Sequence, residues 1–88
     1  MNAPAHLDSI RLDSLRTGTP AEVVAIDWAV LVEADAARLR HFGFDAGVRV
    51  EALHSGPFGR DPLAVRVGRM TVAIRRKHAA AISVRSLA

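Results

Sequence analysis

The feature that most constrains this chain is a pair of alternating runs joined by a two-residue turn. Leu63, Val65 and Val67 alternate with Ala64 and Arg66, and Gly68-Arg69 then places glycine at the first central position of a tight hairpin. The return run puts Met70, Val72 and Ile74 on one face, with Thr71, Ala73 and Arg75 on the other. A period of two cannot form a helical stripe, so this region must be an antiparallel hairpin with one wet face. A hairpin needs further strands to be stable in water, and they have to come from the rest of an 88-residue chain.

Further strands are legible on both sides. Val48, Val50 and Ala52 alternate with Arg49 and Glu51 and should point inward, while Glu22 to Ile26 reads as an earlier strand introduced by Thr19-Pro20. Ile82 to Arg85 makes a final strand, preceded by one short helical turn over residues 76–80. Leu12 and Leu15, ahead of a turn ending at Gly18, read as anchors closing one end of the core. The stretch from Ser55 to Pro62 is dense in turn formers and is expected to be an exposed loop.

One helix interrupts the strands. Glu33 to Phe42 is rich in Ala, Leu and Arg, and Val32, Ala36, Leu39 and Phe42 form its apolar stripe, leaving Arg38 and Arg40 outside. Gly43 fits the left-handed C′ position, from which Phe44 would contact Leu39 as a Schellman ending requires. Asp45-Ala46-Gly47 supplies a second tight turn. Gly43, Gly47 and Gly68 are therefore read as structural turns. Five short strands and one main helix are too few for a sandwich, and predict a mainly β fold: a small, partly open barrel that curls to reduce its edges. Residues 1–11 are expected to be a flexible lead-in and residues 12–88 the single domain.

Composition narrows the function. The absence of cysteine excludes disulfides, thiolate metal sites and cysteine nucleophiles, which fits a reducing cytosol. Residues 1–37 carry two Arg against six carboxylates, a net −4, whereas residues 38–88 carry a net +7. A basic half suits nucleic acid, an anionic membrane or an acidic protein. There is, however, no recognition helix and no aromatic run for base stacking, and the arginines alternate with inward Val, Leu and Ile along strands. No segment approaches the length of a membrane span or a signal peptide.

Catalytic motifs are missing as well. No Gly-x-Ser-x-Gly, no Gly-x-x-x-x-Gly-Lys and no plausible acid–base carboxylate pair occurs, so no enzyme activity, catalytic residue or cofactor is expected. His6, His41, His54 and His78 fall in separate segments with no ligand spacing, and read as surface or capping histidines, giving no metal site. His41 near a helix C-terminus has an ordinary role against the helix dipole.

Protein binding is the functional reading that the residues support. Phe58 sits between Pro57 and Gly59 at the tip of the expected loop, and Trp28 lies in a connector, Asp27 to Val32, that is unusually apolar. That connector either extends the strand, starts the helix early or presents a contact patch. Large aromatics are enriched at binding hot spots. Trp28, Arg38, Arg40, Pro57, Phe58 and Arg60 are accordingly the candidate partner-binding residues, the arginines steering an acidic surface. A groove for Pro-rich peptides is disfavoured, because such grooves are aromatic and this chain has one Trp and no Tyr.

The ordered set of these features resembles a known family. Leu12-x-x-Leu15-x-x-Gly18, Ala21-x-Val23 and Arg38-Leu39-x-x-x-Gly43-Phe44-x-x-Gly47-x-x-Val50 are similar to the ferrous iron transport protein A (FeoA) domain. So are Asp61-Pro62-Leu63-x-Val65-x-Val67-Gly68, Val72-x-Ile74-Arg75 and Ala79-x-x-Ile82-x-Val84, extending the resemblance over residues 12–85. The resemblance implies an SH3-like barrel in the cytoplasm and a non-enzymatic accessory role. The implied partner is the cytosolic part of the FeoB ferrous-iron transporter, with a homo-oligomer compatible. The same barrel resembles the C-terminal domain of DtxR-type metal-dependent regulators, which leaves a stand-alone relative of that domain as the alternative. Those regulators carry DNA-binding and dimerisation domains ahead of the barrel, and only eleven residues precede the match here, which favours the accessory protein and no nucleic-acid partner.

Overall fold

The computed structural model describes residues 9–58 and 61–88, the side chains of 55–58 lying outside that description. Six strands form one sheet: β1 (Ser9–Arg11), β2 (Pro20–Ile26), β3 (Arg49–Phe58), β4 (Asp61–Val67), β5 (Met70–Ile74) and β6 (Ile82–Ser86). The main helix, α1 (Glu33–His41), joins β2 to β3, and a single turn, α2 (Arg76–Ala79), joins β5 to β6. Every strand pairing is antiparallel, in the spatial order β1-β6-β2-β3-β4-β5.

The fold is mainly β as expected, with three corrections. Among the described residues there are six strands rather than five, and they do not close into a barrel, since the end strands β1 and β5 each have one neighbour there. The extra strand falls at Ser9–Arg11, inside the expected lead-in, where backbone pairing of Ile10 with Val84 decides what three residues of mixed polarity could not announce. The expected loop from Ser55 to Pro62 is mostly strand. β3 runs on to Phe58 and β4 starts at Asp61, with register shifts between Ala52 and His54 and again between Ser55 and Phe58. Bulges of this kind absorb unpaired residues and increase twist, so a turn-rich stretch can stay in the ladder.

The helix ending follows the Schellman pattern. The Phe44 N–H donates to the Leu39 carbonyl at 3.1 Å and the Gly43 N–H to that of Arg40 at 2.9 Å, with Gly43 at φ +96°. This reversal delivers Phe44 into the core beside Leu39, both almost fully buried. At the other end of the stripe Val32 is the N-cap and 65% exposed, so the helix buries only Ala36 and Leu39 fully and Phe42 in part. Gly68 opens the β4–β5 turn at φ +59°, and Gly47 takes φ +87° in the turn closed by the Val48 N–H on the Asp45 carbonyl.

The core gathers Leu12 and Leu15, Val23 of β2, Val50 and Ala52 of β3, Leu63, Val65 and Val67 of β4, Val72 and Ile74 of β5, and Ile82 and Val84 of β6. Inward residues thus alternate along each strand. Met70, on the inward side by parity, stands at the turn and is exposed.

Candidate functional site

Helix geometry separates the two arginines that the sequence places together on the outside of α1. Residues two apart on a helix point about 200° apart, so Arg38 and Arg40 serve different surfaces. The Arg40 guanidinium lies 4.3 Å from the Trp28 ring centroid, a close cation–π contact. Trp28 belongs to a 3-10 turn, Trp28–Val30, so the apolar connector neither extends β2 nor lengthens α1. Its ring packs partly on the core, whereas Val30 is 67% exposed. A cavity of about 340 Å³ lies beside Trp28 and Arg40, bordered by Gly43, Phe44 and Asp45.

Arg38 faces a larger cavity, of about 430 Å³, between α1, the start of β4 and the end of β5. Its apolar lining is Leu39, Phe42, Pro62, Ala73 and Ile74; its polar lining is Asp35, Arg38, Asp61, Arg75 and His78. Arg38 is held over the Phe42 ring, one helical turn on, at 5.7 Å from the centroid.

The two carboxylates of this cavity are already engaged. Asp35 Oδ2 lies 3.0 Å from His78 Nε2, which ties α1 to α2 across 43 residues. Asp61 Oδ1 accepts the Arg76 N–H at 3.0 Å, holding the start of α2 against the start of β4. Arg38 and Arg75 differ in this respect: neither guanidinium has a hydrogen-bond or ion-pair partner among the described residues.

His78 is the main correction to the reading of the histidines. It is buried at 8% exposure and hydrogen-bonded, not a surface group. No local signal gives it away, because its partner lies on another element. Among the described residues no cluster of three or more His, Asp or Glu side chains could hold a metal ion. Of the other candidates, Arg60 lies outside the described residues, and so do the side chains of Pro57 and Phe58. Asp35, Asp61, Arg75 and His78 are the site residues that the sequence did not single out.

Elsewhere the basic half of the chain is partly neutralised by the acidic half. Arg85 pairs with Glu22 at 2.7 Å across the β6–β2 register, and Arg76 lies 4.0 Å from the Asp13 carboxylate. Within the basic half itself, Glu51 and Arg66 face each other across β3 and β4 at 3.8 Å. Exposed pairs of this kind contribute about 0–1 kcal/mol each, so their main effect is to break up the positive field. Among the described residues, no helix is long and apolar enough to cross a membrane.

Comparison with known proteins gives a consistent result. A family model described as the FeoA domain matches residues 10–86. The solution structure of the FeoA protein from Chlorobium tepidum is 32% identical, with 90% of this chain and 71% of that one covered and a TM-score of 0.78. The crystal structure of Stenotrophomonas maltophilia FeoA complexed with zinc, described as a prokaryotic SH3 domain protein, is 35% identical, covering 85% of this chain and 88% of that one at a TM-score of 0.72. A manganese-dependent transcriptional repressor is 28% identical over 90% of this chain, at a TM-score of 0.68, but this chain spans only 42% of its length. No curated protein sequence matches significantly.

Proposed function

Because the chain belongs to the FeoA family, its matched region spanning residues 10–86, we propose that it is a small cytosolic accessory protein of ferrous-iron uptake that binds the cytosolic part of the FeoB transporter. The family match is the observation that carries this reading. Its geometry agrees with a binding role. Two cavities flank α1, one beside the Trp28–Arg40 stack and one beside Arg38. A rigid aromatic clamped by a guanidinium is the kind of anchor that interfaces favour.

The test is co-purification of the chain with the cytosolic region of its cognate FeoB at physiological salt, together with ferrous uptake in a strain lacking the gene. Association and reduced uptake are expected. Absence of both overturns the proposal.

The likeness to the manganese-dependent repressor favours one second reading, a relative of the regulators' SH3-like domain that acts in metal-responsive regulation. It differs in its readout. Deletion would alter transcripts of metal-responsive genes at fixed intracellular iron, whereas an accessory of the transporter alters uptake first.

A further inference from the structure

We propose that the cavity beside Arg38 is a docking site for an acidic peptide segment of the partner, in which a Glu or Asp carboxylate bridges Arg38 and Arg75 while a neighbouring apolar side chain rests on Leu39, Phe42 and Ile74. This deepens the reading above and rests on it.

The charge pattern carries the argument. The cavity holds two guanidiniums and two carboxylates, but only the carboxylates are matched, Asp35 by His78 and Asp61 by the Arg76 N–H. Arg38 and Arg75 keep their donors free among the described residues, and Arg38 is held in place over Phe42. A guanidinium presents its N–H groups in a planar fork that matches a carboxylate, and a preorganised one loses less entropy on binding. Each acid already has one oxygen engaged within the protein, so the donors left to meet an incoming carboxylate are those of the two guanidiniums. A cationic ligand would meet two guanidiniums with no ion-pair partner among the described residues.

The floor selects among anions. Leu39 and Ile74 are buried and Phe42 half-buried at the base of the same cavity, so the site offers apolar contact next to positive charge. A free inorganic anion leaves that floor uncovered; an acidic side chain with a leucine-like neighbour covers it. The volume, about 430 Å³, falls in the range of formed ligand pockets, about 300–1,000 Å³. The cavity also borders β5, an end strand whose single neighbour among the described residues is β4, so its other edge can take an extended segment.

The experiment uses the full chain, isotopically labelled for amide NMR, and two probes. The first is a blocked pentapeptide with one glutamate between two leucines, compared with its glutamine counterpart and with sodium phosphate. The second is the cytosolic FeoB region, titrated against wild type, Arg38→Glu, Arg75→Glu and, as a charge-matched control at the hairpin turn, Arg69→Glu.

The glutamate peptide is expected to shift the amides of Arg38, Phe42, Ile74 and Arg75 saturably, with the glutamine peptide at least about threefold weaker. Arg38→Glu and Arg75→Glu are expected to weaken the FeoB region by about tenfold while Arg69→Glu stays near wild type. All three arginines are exposed, and amide dispersion verifies that each variant is folded. Equal response to glutamate and glutamine peptides, or no response to either, overturns the site. Phosphate reproducing the same shifts at the same concentration reduces it to a simple anion site and overturns the peptide. FeoB binding that survives both reversals, or falls equally with Arg69→Glu, also overturns it. If the glutamate peptide binds as expected but the FeoB region does not bind wild type, the cavity stands and the transporter reading fails.

Discussion

Replacing Gly43 by alanine isolates the energetic cost of one backbone conformation. Gly43 sits at φ +96°, and a Cβ built there meets only Val67 Cγ1, at 3.8 Å, an ordinary van der Waals contact. Steric overlap therefore contributes almost nothing. What remains is the strain of an L-residue in the left-handed region, about 1–2 kcal/mol. If the chain relieves that strain by opening the cap, it gives up the Phe44-to-Leu39 and Gly43-to-Arg40 hydrogen bonds instead, each worth about 0.5–1.5 kcal/mol net, and pulls at a buried Phe44. Either route gives a loss of at least about 1 kcal/mol, and in a domain of this size each kcal/mol lowers the Tm by about 4–8 °C. Urea unfolding followed by far-ultraviolet circular dichroism and by the emission of Trp28, the sole tryptophan, measures it with two probes. Gly43→Asn should cost less than Gly43→Ala, because asparagine tolerates the left-handed region. Gly47→Ala, at φ +87° with nothing within 4 Å of the new Cβ, should cost about the same as Gly43→Ala if strain alone acts. A Gly43→Ala protein within about 0.3 kcal/mol of wild type, or an Asn variant as damaged as the Ala one, refutes the reasoning.

Two further predictions follow from the contacts around α1. Asp35→Ala leaves the buried His78 Nε2 without its partner in a structure where no other described buried side-chain polar atom lacks one, so it should cost about 1–3 kcal/mol in urea unfolding, well above the ~0–1 kcal/mol of an exposed pair; Asp35→Asn, which keeps an acceptor, should recover most of it. Arg40→Gln removes the guanidinium stacked on Trp28 and should shift the tryptophan emission while costing about 0.5–1 kcal/mol, and an unchanged spectrum would mean the stack does not persist in solution.

How much of this protein its sequence reveals depends on the range of the forces involved. The β4–β5 hairpin, the Schellman ending and the inward alternation of Val48, Val50 and Ala52 are legible because each rests on a glycine at positive φ or on a side-chain period, effects that act within a few residues. Even there the reach is local. The same turn formers that predict a loop from Ser55 to Pro62 are carried inside the β3–β4 ladder, because pairing continues past two register shifts to Phe58 and Asp61. The candidate site lies beyond that reach altogether. Arg38 was visible as an exposed cation, but not its separation from Arg40 onto a different cavity, nor the arrival of Arg75 and His78 beside it from the far end of the chain. Ser9–Arg11 has no pattern of its own and becomes a strand because β6 presents an unpaired edge to it. Local chemistry thus sets the turns and the inward faces. Which strands meet, which histidine is buried and which arginines stay unmatched are decided when distant residues, such as Asp35 with His78 or Ile10 with Val84, are brought together, since only the assembled sheet holds them there.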